Sequence, residues 1–401
     1  MKFTEFGFHP DLMTGVEALG FENATPIQEQ AIPAILEGKD IIASAQTGTG
    51  KTAAFLLPLI NKILAEPPSE SMKAVIIVPT RELAIQIDQQ MEGLSYFCQI
   101  SSIAVYGGND GISFAQEQTA LSKGADVIIC TPGRMISHLS QNYVKTSQLK
   151  YLVLDEADRM LDMGFHEDII KIISYLPKQR QNLMFSATMP NQIKLLARKV
   201  LNDPFEISIA TSKPAEKILQ IAYVVYNNQK IPLVLHLLGN QKANSVLIFC
   251  STKSSAKDLS RELKAAKLAV EDIHSDLDQI KREQVLMAFK NKELNILVAT
   301  DILSRGIDIE DIELIINYDV PQDGEDYIHR IGRTARAEAD GVAISLINDK
   351  DQSKFAVIEN LIGKEVYKGK IPIHLGEGPE YAPRKKKSGF KKFNRKKGKR
   401  K

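Results

Sequence analysis

Tryptophan is absent from this 401-residue chain, and cysteine occurs only three times. Cys98, Cys130 and Cys250 stand far apart with no C-x-x-C spacing, which excludes a disulfide framework and a structural zinc site and fits a reducing cytoplasm. No run of about 18 apolar residues occurs, so no membrane-spanning helix is expected. The opening MKFTEFGFHPDL carries acid early and has no long apolar stretch, so no export signal is expected either. Acid is also missing from residues 384–401, which hold 12 Lys or Arg and no Asp or Glu. The formal net charge of +2 hides this division, because the other 39 basic and 49 acidic residues leave residues 1–383 at about −10. The chain reads as an acidic body with a basic end. That end has too little apolar surface to fold alone, so it is expected to be disordered and to contact a polyanion, a merely solubilising role being the competing reading.

What is present is a series of short apolar runs bounded by turn residues, with helical patterns between them. AVIIVP (74–79), DVIICTP (126–132), YLVLDE (151–156) and NLMFSAT (182–188) form one series; SVLIFCST (245–252), NILVATD (295–301), ELIINYD (313–319) and GVAISLI (341–347) form a second. The alternation predicts parallel sheets with crossover helices, and the two series run in step, so two similar α/β lobes are expected. The length agrees, since a single core stops growing at roughly 250 to 300 residues. The expected boundaries are a first lobe over 1–208, a polar linker over 209–217 containing Pro214, a second lobe over 218–372 and a basic tail over 373–401. Ligands of such sheets bind beyond the carboxyl ends of the strands, and the chemical motifs of both lobes fall there.

After the apolar run Ile41-Ile42-Ala43 comes AQTGTGKT, residues Ala45, Gln46, Thr47, Gly48, Thr49, Gly50, Lys51 and Thr52. It departs from the usual phosphate loop G-x-x-x-x-G-K-[ST] only in its first residue, and alanine is tolerated there wherever φ stays negative. Gly48 and Gly50 let backbone N–H groups face phosphate at a helix N-terminus. Lys51 is expected to reach the β and γ phosphates and Thr52 to ligate magnesium. About 100 residues on, the strand YLVLDEAD ends in Asp155, placed to hold magnesium, and Glu156, placed to deprotonate the attacking water.

Together these residues resemble the DEAD-box ATP-dependent RNA helicases of superfamily 2, over roughly residues 3–365. The block GFHPDLMTGVEALGFENATPIQEQAIPAILEGKD is most similar to the bacterial RhlE-type group. The resemblance implies tandem RecA-like lobes, with ATP and Mg2+ as cofactors and RNA as partner. By the same likeness Phe21 stacks on adenine, Gln28 of TPIQ reads its N6 and N7 edge, and Phe3 is the upstream aromatic, with Phe6 and Phe8 as competing choices; core packing is the alternative for Phe21. PTREL with Pro79, Thr80 and Arg81, the glycines Gly107 and Gly108, and TPGR with Thr131, Pro132, Gly133 and Arg134 are similar to RNA-backbone contacts of the first lobe. Thr80 also fits a helix cap. Ser186 and Thr188 of SAT resemble the motif that couples hydrolysis to strand separation, through hydroxyl contacts with the DEAD acids.

In the second lobe, Gln279 and Arg282 of QIKR, with Thr300, Gly306 and Asp308 of VATDILSRGID, are similar to RNA and ribose contacts. HRIGRTAR resembles the arginine-finger motif, with Arg333 and Arg336 as fingers, His329 in coupling, and Ala335 where the family usually has glycine. Surface salt bridging is the competing reading of the two arginines. The likeness implies that ATP and RNA jointly close the lobes, that short duplexes are separated locally, and that the RNA grip is largely independent of sequence, in keeping with aromatic residues at only 6%. A monomer is expected. Two alternatives share the motifs: a non-hydrolysing, ATP-gated RNA clamp, which the presence of Glu156, Arg333 and Arg336 disfavours, and a DNA-directed translocase of the same superfamily.

Overall fold

The computed structural model describes residues 1–45, 48–67, 69–107, 111–209, 218–240, 244–300, 312–322, 324–334 and 341–383. They form two compact units, each built on a seven-stranded parallel sheet flanked by helices.

In the first unit the strands are β1 (Ile41–Ser44), β2 (Ala74–Ile77), β3 (Ser102–Val105), β4 (Val127–Cys130), β5 (Tyr151–Leu154), β6 (Gln181–Ser186) and β7 (Phe205–Ser208). Their order is β3-β4-β2-β5-β6-β1-β7. Every registered pair is parallel, so all strands end on one edge. β2, β4 and β5 are buried at every position, as strands covered on both faces must be. The helices are α1 (Pro10–Ala18), α2 (Pro26–Leu36), α3 (Lys51–Leu64), α4 (Arg81–Leu94), α5 (Gly111–Lys123), α6 (Pro132–Leu139), α7 (Ala157–Asp162), α8 (His166–Ser174) and α9 (Asn191–Val200). Two apolar clusters lie on opposite sides of the sheet: alternate residues of β2 divide between them, Ala74 and Ile76 in one, Val75 and Ile77 in the other.

The second unit repeats the plan with β8 (Ile218–Val224), β9 (Val246–Cys250), β10 (Val270–Ile273), β11 (Ile296–Thr300), β12 (Leu314–Asn317), β13 (Gly341–Ile347) and β14 (Tyr367–Lys368), in the order β10-β11-β9-β12-β13-β8-β14. Its helices are α10 (Asn227–Asn240), α11 (Lys253–Ala265), α12 (Gln279–Lys290), α13 (Gly324–Ile331) and α14 (Gln352–Ile362). No described helix is long and apolar enough to cross a membrane.

One expected boundary moves. Residues 373–383, read from sequence as part of the tail, pack on the second unit. Gln229 Nε2 donates to the carbonyls of Leu375 (2.8 Å) and Glu377 (3.2 Å), and Tyr381 donates its hydroxyl to Glu359 Oε2 at 2.6 Å. The basic run begins only at Arg384, and the positions before it supply backbone and aromatic contacts that charge counting overlooks. The linker read over 209–217 lies outside the described residues except Ile209, whose N–H donates to the Ser44 carbonyl at 2.9 Å.

Candidate active site

The shared polarity of the strands gathers the first-unit motifs at one sheet edge. Ala45 follows β1 with a φ that is not positive, and its methyl is 1% exposed in the core. Its N–H donates to the Ser186 carbonyl at 3.1 Å, so the residue continues the β1–β6 pairing for which no glycine is required. Gly48 (φ 78°) and Gly50 (φ 89°) take the left-handed turns that let the chain enter α3. Lys51 opens that helix, and its buried Nζ donates to the Ala45 carbonyl at 2.8 Å. Thr52 is half-buried beside it, while Gln46 and Thr47 lie outside the described residues.

Gln28 braces this loop. Thr25 and Gln28 form a capping box at the start of α2, the Thr25 N–H donating to Gln28 Oε1 at 2.9 Å. Gln28 Nε2 donates to the Gly50 carbonyl at 3.1 Å, and the Thr25 hydroxyl donates to the Thr49 carbonyl at 2.8 Å. Each end of the amide is thus engaged once, leaving by valence one hydrogen and one lone pair. Thr25, named from sequence only as the first residue of TPIQ, braces the same loop, and the T-x-x-Q capping spacing is the signal for it. Phe21 is 37% exposed and stacks on Phe3, with ring centroids 5.7 Å apart. Phe3 itself is only 2% exposed and backs Phe21 from within the core.

Asp155 leaves β5 3% exposed, its Oδ1 accepting the Glu156 N–H at 2.9 Å. Burial pushes its carboxyl up to about 6; the Lys51 charge opposes the shift, and Glu156 and Asp158 add to it. A buried carboxylate crowded by acids is a group that a divalent cation would relieve, so the residues fit magnesium with a triphosphate. Glu156 occupies the left-handed region (φ 50°, ψ 48°), unusual for a non-glycine residue, and its Oε2 accepts from Arg159 Nη1 at 3.3 Å. Arg159 is a second residue that sequence reasoning missed; its E-x-x-R spacing is the available signal.

The SAT contacts differ from the expected hydroxyl pattern. Ser186 Oγ accepts the Asp158 N–H at 3.3 Å, whereas Thr188 offers its backbone N–H to Asp158 Oδ2 at 3.0 Å. Motif spelling cannot show this, because any residue type at position 188 except proline carries that donor.

Among the expected RNA contacts, Thr80 caps α4 by accepting the Leu83 N–H at 3.3 Å, and Pro79 precedes it at the end of β2. Arg81 Nη2 lies beside Gly107, 3.7 Å from where a Cβ would stand there. Gly108 lies outside the described residues. Thr131 caps α6 by position, with Pro132 at its first turn, and nothing lies within 4 Å of a Cβ built on the exposed Gly133. Arg134 is not the open guanidinium the motif suggests: its side chain is 11% exposed and its Nε donates to Glu117 Oε2 at 2.6 Å. Glu117 comes from α5, and no local sequence pattern announces the pair.

In the second unit, Thr300 ends β11 with a buried Oγ1 that has no partner among the described residues. Arg282 lies on α12, which Gln279 opens. His329 and Arg333 are 5% and 8% exposed, on and just after α13. Arg330, missed from sequence, is fully buried, and its Nη1 donates to Asn317 Oδ1 and the Asp319 carbonyl, both at 3.1 Å. It fixes the end of α13 from which Arg333 follows. Gly306, Asp308 and Arg336 lie outside the described residues.

Comparison with known proteins accords with this arrangement. Residues 25–196 match the DEAD/DEAH box helicase family and residues 229–338 the helicase conserved C-terminal domain. The chain is 42% identical over 366 residues to the ATP-dependent RNA helicase CshA of Listeria monocytogenes, covering 91% of this chain and 69% of that one. It is 40% identical over 372 residues to the DEAD-box ATP-dependent RNA helicase RhpA of Helicobacter pylori, covering 92% and 74%. Among solved structures, that of S. cerevisiae Dbp5 bound to RNA and ADP BeF3 matches with a TM-score of 0.82 at 31% identity, over 92% of this chain and 95% of that one. The phosphate loop, the buried DEAD acids and these likenesses converge: the chain belongs to the DEAD-box ATP-dependent RNA helicases.

Proposed function

We propose that this helicase hydrolyses ATP in an RNA-stimulated cycle with the following division of labour. Phe21 and Gln28 receive adenine. The backbone over Ala45–Thr49 and Gly50 faces the phosphates, with Lys51 exchanging the Ala45 carbonyl for a phosphate oxygen. Thr52 and Asp155 would hold magnesium, which when bound supplies charge neutralisation at the phosphates. Glu156 takes the proton of the attacking water, Arg333 and Arg336 stabilise charge developing on the γ phosphate, and Asp308 contacts ribose. Ser186, Thr188 and His329 transmit the change, the first two through Asp158.

RNA is gripped along its backbone by Pro79, Thr80, Arg81, Gly107, Gly108, Thr131–Arg134, Gln279, Arg282, Thr300 and Gly306, and by the basic run from Arg384 onward. The protein acts as a cytoplasmic monomer and separates short duplexes locally. The observation that supports the catalytic assignment is the setting of Asp155, a carboxyl 3% exposed at the end of β5 among Lys51, Glu156 and Asp158, which suits a metal–triphosphate site. Phosphate release measured with a panel of single-stranded RNA and matched DNA tests it. Stimulation by RNA alone is expected, since only RNA offers the 2′-OH; equal stimulation by DNA favours a DNA-directed motor, and no stimulation favours a clamp.

A further inference from the structure

The helix after the GG segment and the helix that opens with TPGR are tied together by a buried cluster with no part in the nucleotide chemistry. Glu117 of α5 is 6% exposed, and its Oε2 is shared by Arg134 Nε (2.6 Å) and His138 Nε2 (2.7 Å) of α6. His138 lies one turn beyond Arg134 and is fully buried, its Nδ1 paired with the Tyr143 hydroxyl. With Nε2–H donating to the carboxylate and Nδ1 accepting from Tyr143, a neutral His138 is satisfied at both nitrogens. Phe114 of α5 completes the cluster, stacked on the His138 ring at 4.4 Å and 13°, with the Arg134 guanidinium 4.6 Å from its centroid.

Among the described residues the arginine is fixed from one side only. Its Nε edge is taken by Glu117 and its π face by Phe114, while the buried Nη2 has no partner among the described residues. A guanidinium is a rigid fork whose far edge suits a phosphate once the near edge is held, and holding it in advance removes much of the rotamer entropy lost on binding. We propose that Glu117, oriented by His138, is a positioning residue: it sets the Arg134 fork to meet an RNA phosphate and couples the helix after the GG segment to the one that opens with TPGR. The proposal rests on the RNA reading of Arg134 given above.

The test is RNA-stimulated phosphate release, titrated with single-stranded RNA, for full-length Glu117→Ala, Glu117→Gln, Arg134→Ala and the Glu117→Ala/Arg134→Ala double variant. Glu117→Ala should raise the half-saturating RNA concentration about tenfold, the scale of one charge-assisted hydrogen bond, with maximal and RNA-independent turnover unchanged. Glu117→Gln, which keeps an acceptor of the same shape, should recover most of that loss. The double variant should be no weaker for RNA than Arg134→Ala alone, because Glu117 acts through Arg134. Effects that multiply in the double variant, or an unchanged half-saturation in Glu117→Ala where Arg134→Ala raises it, would overturn the positioning role. Should Arg134→Ala itself leave RNA binding intact, the RNA reading of Arg134 fails and the positioning role falls with it.

Discussion

Lys51 donates its ammonium to the carbonyl oxygen of Ala45, 2.8 Å away, across the loop that both residues bound. The hydrogen bond needs the backbone of residue 45, not its side chain, and the alanine methyl is buried in the core. The departure from glycine is therefore a packing substitution that leaves the Lys51 hydrogen bond intact.

Gly50 has no room for a side chain. A Cβ there would stand 2.4 Å from Gln28 Nε2, and at φ +89° any side chain is strained. Gly50→Ala should weaken nucleotide affinity by roughly tenfold or more, because left-handed strain of about 1 to 2 kcal/mol adds to displacement of the Gln28 brace. Titration with a fluorescent ATP analogue reads it; an unaltered Kd would show that the Gln28–Gly50 contact does not shape the site.

Asp155 makes stability depend on pH in the unusual direction. Its folded carboxyl is raised from 3.8 to about 6, so between those values the native state holds a proton that the unfolded chain has lost. Its contribution is most favourable below pH 3.8, declines as pH rises, and above pH 6 amounts to a penalty of about 3 kcal/mol. Asp155→Asn should consequently raise Tm at pH 8 without nucleotide or magnesium, with the gain over the parent shrinking from pH 6 to pH 4. Thermal melts across that range decide it, and a lowered Tm at pH 8 would contradict the burial penalty.

Glu156 is held in a left-handed conformation and paired with Arg159 at 3.3 Å, an arrangement that orients the carboxylate. Glu156→Gln keeps size and hydrogen bonding but removes the base. It should bind ATP and RNA with affinities close to the parent and lose turnover by about two to four orders of magnitude. A rate within a few-fold of the parent assigns the base elsewhere.

The basic run supplies 12 cations and no acid. Truncation after Pro383, which spares the packed residues 373–383, should lower RNA affinity at low salt and flatten the dependence of log K on log salt. Equal affinity and slope in the two proteins would remove the tail from RNA binding.

How far this was legible in the sequence varies with the kind of interaction. β2, β4, β5, β9 and β11 stand out because strands buried on both faces are continuous apolar runs. β10, with the sequence VEDI at a sheet edge, does not, since partial exposure lets acids into it. Lys51, at the start of α3, and Asp155 and Glu156, after β5, are readable because the proposed chemistry demands particular residue types at those places. The Glu117 hold on Arg134, 17 residues away in sequence, and the Thr188 N–H on Asp158, 30 away, are not, because one depends on how two helices meet and the other on backbone any residue supplies.

The proposed need of ATP cleavage for Arg333 is the step on which the division of labour turns. It is tested most directly by single-turnover ATP hydrolysis at saturating RNA, comparing the parent with Arg333→Ala. The account predicts a loss of about a thousandfold or more with ATP still bound. Hydrolysis within twofold of the parent would contradict it.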